Sequence, residues 1–109
     1  SMGSYYDAYR LLKTQSLSGR YVLEELTTLT QSSPKMKREQ RLKQLEGYRT
    51  YTYMRKRWEK YLRSHDIEMV KWEDALGLIL EFVRPIWRSL CKNEIFFDDW
   101  MPELGRFLS

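Results

Sequence analysis

Catalysis needs several positioned groups, and this sequence is short of them. Among its 109 residues His65 is the only histidine and Cys91 the only cysteine. His65 stands beside Asp66 at an expected helix boundary, where a capping or solvent-facing side chain is ordinary. Cys91 closes an apolar segment, a place where cysteine commonly serves as a small hydrophobe. An activated thiol there would need a neighbouring base, and the sequence implies none. Asp98 and Asp99, with Glu94 and Glu103, offer carboxylates for a metal, but adjacent acids near a helix start more often cap it and complement its dipole. No GxxxxGK followed by Ser or Thr, no GxGxxG and no CxxC pair occurs, so nucleotide, dinucleotide and zinc-ribbon chemistry have no anchor. The expectation is a protein that binds and does not catalyse, with neither metal nor cofactor.

What remains is charge and aromatic surface. The net charge of +4 hides an uneven distribution: residues 34–64 carry eleven Lys or Arg against three Glu, a local balance of +8, and the rest of the chain sums to −4. Such asymmetry bears on association and solubility, not on fold. Phe, Trp and Tyr make up 15% of the residues, more than the core of a small helical bundle requires, so some are expected to be exposed or shared with a partner. Tyr53 falls among the basic residues, where an aromatic ring can stack on a base or a guanidinium. Arg55-Lys56-Arg57 resembles a nuclear-import patch, but inside a packed helix it would not be read as an extended peptide.

Helix formers dominate, and the period-two alternation of strands is almost absent, so the predicted fold is all-α, a single compact bundle of four to five helices. Residues 1–4 read as an expression scar or disordered start and are set outside a single helical domain spanning 5–109. A short helix is expected over 5–14. Ser18 caps a second over 19–31, with Val22, Leu26 and Leu29 on one face. Ser32-Ser33-Pro34 opens one long basic helix reaching about residue 63, in which Gly47 marks a bend or a shift in packing partner. Its second half places Tyr51, Met54, Trp58, Tyr61 and Leu62 on one side and Arg49, Lys56, Lys60 and Arg63 on the other; its first half has too few apolar residues to pass through a core.

After a break at Ser64-His65-Asp66, with Asp66 as cap, Trp72, Leu76, Ile79, Val83, Ile86 and Leu90 trace the seam of a central apolar helix, kinked or broken at Pro85. A last short element over 99–108 carries Trp100, Leu104, Phe107 and Leu108 for docking.

From these elements the leading expectation is a protein-interaction module that docks a partner helix or peptide in an apolar groove with a basic rim, the partner being a protein with an acidic or helical segment. Trp58, Tyr61, Trp100 and Phe107 would anchor it. The alternative is nucleic acid held on Arg49, Lys56, Lys60, Arg63 and Tyr53. The broad apolar seam also admits self-association into a homo-oligomer. The lone cysteine and the want of an apolar run of about 18 residues argue for an intracellular protein, nuclear or cytoplasmic, with no membrane span.

Overall fold

The 4-3-4 spacing from Trp72 to Leu90 does produce the helix on which everything else is built. The computed structural model describes all residues 1–109. Along the chain run α1 (Met2–Thr14), β1 (Leu17–Ser18), α2 (Gly19–Thr30), α3 (Lys35–Tyr48), α4 (Thr52–Ser64), α5 (Trp72–Lys92), β2 (Asp99–Met101) and β3 (Arg106–Leu108). Helix α5 touches all four other helices and β3. Its seam residues Trp72, Leu76, Ile79, Ile86 and Leu90 are buried, Val83 is half-buried, and the covering surface comes from within the chain. Trp58, Leu62, Trp72, Leu76, Leu80 and Trp100 form most of the main core, while Leu23 of α2 packs separately on Ile86 and Leu90.

Four indoles tie this arrangement together. Trp58 Nε1 donates to the Val70 carbonyl at 2.7 Å, Trp72 to Tyr48 at 2.8 Å, Trp87 to Arg38 at 2.6 Å and Trp100 to Leu12 at 2.8 Å. Leu12 lies in the last turn of α1 and Tyr48 ends α3, so two of these bonds satisfy carbonyls that a helix C-terminus leaves without an intrahelical partner. A tryptophan is well suited to this, because it fills a core with its rings and still reaches a polar group at the rim.

The expectation of an all-α fold is corrected to a mostly helical one with a small antiparallel sheet in the order β1-β2-β3. Leu17 pairs with Trp100, and Trp100 pairs with Phe107. The final segment is thus a hairpin, turned through Pro102–Gly105 with Gly105 at a left-handed φ of 62°, a conformation that glycine adopts without steric cost. A Pro-x-x-Gly between two three-residue runs was the available signal. Gly19 donates its amide to the Asp98 carbonyl at 3.0 Å, and a Cβ there would collide with that carbonyl and with the Phe96 ring. Glycine is what lets α2 start against the sheet.

The single long basic helix is also corrected: it is two helices, α3 and α4, parted at residues 49–51. Gly47 sits two residues before the break, and nothing lies within 4 Å of where its Cβ would be. The break lets α3 lie along α5 while α4 turns its apolar face into the core. Residues 2–4 belong to the fold, since α1 begins at Met2 and that side chain is buried. Helix α5 runs without a break through Pro85; the carbonyl that Pro85 leaves unbonded belongs to exposed Glu81, where water can take the place of the missing donor. Asp66 does not cap α5. It takes a left-handed φ of 54° just after α4, as Asn93 does at 56° after α5, and these two residues end their helices in the manner usual for small polar side chains.

Candidate functional site

The predicted aromatic groove is not formed. Trp58 and Trp100 are 0% exposed and belong to the core, so neither can anchor a partner. Trp58 packs against Trp72 with ring centroids 5.5 Å apart and against Tyr6 at 6.1 Å. Trp100 meets Phe82 edge-on at 5.4 Å and Phe107 at 5.3 Å. Tyr61 is half-buried between Tyr6 and His65, and Phe107 is half-buried among Phe82, Phe96 and Trp100. The four residues fall in two groups of ring contacts, both against the main core. Helix α1 occupies one and the hairpin closes the other, while Tyr21, Tyr51, Tyr53 and Phe97 stay exposed.

The basic stripe takes firmer shape on α4. Met54, Trp58 and Leu62 are buried at the i, i+4, i+8 spacing that seats one side of a helix. That seating turns Lys56, Lys60 and Arg63 outward, and all three are exposed. Arg57 is exposed beside them, with its guanidinium 5.7 Å from the centroid of the Tyr53 ring, four residues earlier. The spacing of Tyr53 and Arg57 was the sequence signal for this contact. The one acid in α4, Glu59, pairs with Arg55 at 3.3 Å. The molecule's two other ion pairs are Arg20 with Glu24 and Arg84 with Glu46. Lys56, Arg57, Lys60 and Arg63 therefore have no carboxylate within 4.0 Å.

Arg49 does not join them. It lies in the α3–α4 junction, donates from Nε to the Glu73 carbonyl at 2.9 Å and lies against Gly77 of α5, where a Cβ would stand 2.7 Å from its Nη2. Its role is to fasten the junction to α5. A wheel drawn through an unbroken helix assigned it to the stripe, and the break removes it. The same break moves Tyr51. As the residue before α4, in extended conformation, it leaves the apolar face predicted for it and turns outward, 52% exposed beside Tyr53 at 58%, ring centroids 5.9 Å apart.

The remaining chemical candidates are occupied structurally. His65 Nδ1 lies 2.9 Å from the Tyr61 carbonyl, and its ring packs on Tyr61 with centroids 4.1 Å apart. The Cys91 thiol is pushed above its ordinary range, first by burial and then by Glu39, with Arg38 and Lys35 opposing; this shift disfavours the nucleophilic thiolate. Asp98, Asp99, Glu94 and Glu103 do not gather, and no three His, Cys, Asp or Glu side chains come together as a metal site. No helix is long and apolar enough to cross a membrane.

Comparison with known proteins finds no matching family model, no matching curated protein and no matching solved structure. The functional reading rests on the chemistry of the α4 face.

Proposed function

We propose that this protein is a non-enzymatic binding module whose α4 face holds nucleic acid through its phosphates. The observation that carries the reading is the outward row Lys56, Arg57, Lys60 and Arg63, four cations with no acidic partner on a helix whose opposite side is locked in the core. Glu59, the one acid of α4, is taken by Arg55 and leaves the row without a counter-charge of its own. Concentrated positive potential on an ordered surface attracts a polyanion and releases its counterions on contact. Of the two classes of partner, a protein with an acidic segment is the weaker fit, because Trp58 and Trp100, two of the four anchors expected for it, are buried.

The test is fluorescence anisotropy with labelled oligonucleotides and with an oligoglutamate peptide across a salt series. Four phosphate contacts give a slope of log K against log salt of about −2.8 for a single strand and about −3.6 for a duplex. Reversing Lys56, Lys60 and Arg63 together to Glu is expected to abolish nucleic-acid binding with the thermal midpoint unchanged, since exposed positions cost little stability. Arg57 is left in place because of its contact with Tyr53. Nucleic-acid affinity that survives the triple reversal, or tighter binding of the acidic peptide than of any oligonucleotide, overturns the proposal.

A further inference from the structure

We infer that the nucleic acid taken by this face is single-stranded, with unpaired bases stacking on Tyr51 and Tyr53 while the backbone follows Lys56, Lys60 and Arg63. The inference rests on the preceding reading of the α4 face and specifies its ligand. Two large rings that are each more than half exposed, 5.9 Å apart and tilted at 51°, stand at the N-terminal end of a cationic row. Neither hydroxyl makes a hydrogen bond within the protein. The Arg57 guanidinium braces the Tyr53 ring, and Trp58 and Leu62 hold the helix beneath it rigidly in the core.

Such a surface offers π-faces beside positive charge, the combination that binds single strands with little regard to sequence. A duplex keeps its bases stacked inside, out of reach of the rings. From Tyr53 to Arg63 the helix advances about 15 Å at 1.5 Å per residue. A strand lying along that length meets the rings at one end and Arg63 at the other.

The experiment compares binding of a labelled dT12 strand, a 12-base-pair duplex and base-free polyphosphate to the full chain and to two double variants, Tyr51→Ala/Tyr53→Ala and Tyr51→Phe/Tyr53→Phe. The wild-type protein is expected to prefer dT12 over the other two probes. The alanine pair should weaken dT12 binding fivefold or more for each ring lost, leave polyphosphate binding unchanged and keep the wild-type circular dichroism, while the phenylalanine pair retains the preference. Equal binding of all three probes, or a dT12 affinity indifferent to the alanine pair, overturns the single-strand assignment and leaves phosphate recognition standing. Binding of none of the three removes the reading beneath it as well.

Discussion

Helices α3 and α4 are cut from one basic stretch, yet they are held to the protein in opposite ways. Helix α4 works as a wedge, with Met54, Trp58 and Leu62 buried in the main core and its charges turned to water. Helix α3 has no buried residue. Leu42, Leu45 and Tyr48 are half-buried against α5, and the rest of its attachment is polar: the Trp87 bond to Arg38, the Trp72 bond to Tyr48 and the Arg84–Glu46 pair at 2.9 Å. Clefts of about 310 and 230 Å³ flank it on its two sides. Similar charge content therefore says nothing about how firmly a helix is seated; the burial of a few large side chains does. A cationic face presented by α4 is pre-organised, whereas α3 belongs to the low-stability end of the molecule, where local opening is least costly.

The largest expected effect separates the two helices directly. Trp58→Ala should destabilise the protein by about 3 to 5 kcal/mol in urea unfolding, the usual cost of emptying a buried indole site. Leu45→Ala on α3 should cost no more than about 1 to 2 kcal/mol, because a half-buried leucine loses less contact and leaves a space that water already reaches. Equal losses would show that α3 is seated as deeply as α4.

A smaller effect is expected at the staple that holds α3. Trp87→Phe removes the indole N–H from the Arg38 carbonyl and should cost about 1 kcal/mol overall. Its clearer signature is in hydrogen exchange: amide protection over residues 35–48 should fall while that over 52–64 is unchanged. Uniform loss of protection would mean that α3 opens only with the whole molecule.

The finest probe is a phenol of α1 whose charge both helices influence. The Tyr5 hydroxyl is pushed above the usual phenol range, first by burial, then by Tyr48 of α3, with Arg57 of α4 opposing. The folded state thus holds this proton more tightly than the unfolded state. Its contribution to stability is complete below about pH 10, where the unfolded phenol titrates, and is lost as pH rises from there through the folded value. Tyr5→Phe should flatten that alkaline decline in a thermal-melt series. A decline identical in both proteins would place the titrating group elsewhere.

Much of the architecture was legible because its causes are local. The Trp72-to-Leu90 spacing reports a helix with a wide apolar face whatever covers it, Ser18 announces the start of α2 by accepting from the Tyr21 amide at 3.2 Å, and the outward turn of Lys56, Lys60 and Arg63 follows once Met54, Trp58 and Leu62 face inward. The basic half of the candidate site was accordingly visible, and so was Tyr53, but its neighbour Tyr51 was not. Tyr51 reads as apolar-face on any continuous wheel, and only the break before α4 brings it beside Tyr53.

By itself, then, the sequence determined the helical character of most of the chain, the central apolar helix and the concentration of positive charge in residues 34–64, because periodicity and composition are properties of neighbouring residues. The tertiary structure decided where the basic stretch divides, that Arg49 fastens α5, that the last segment is a hairpin, and that Trp58 and Trp100 are interior. Each of those depends on which surface meets which across long stretches of chain. The Trp100 indole finds its acceptor on Leu12, 88 residues away, and local periodicity shows that a face is apolar without showing what will cover it.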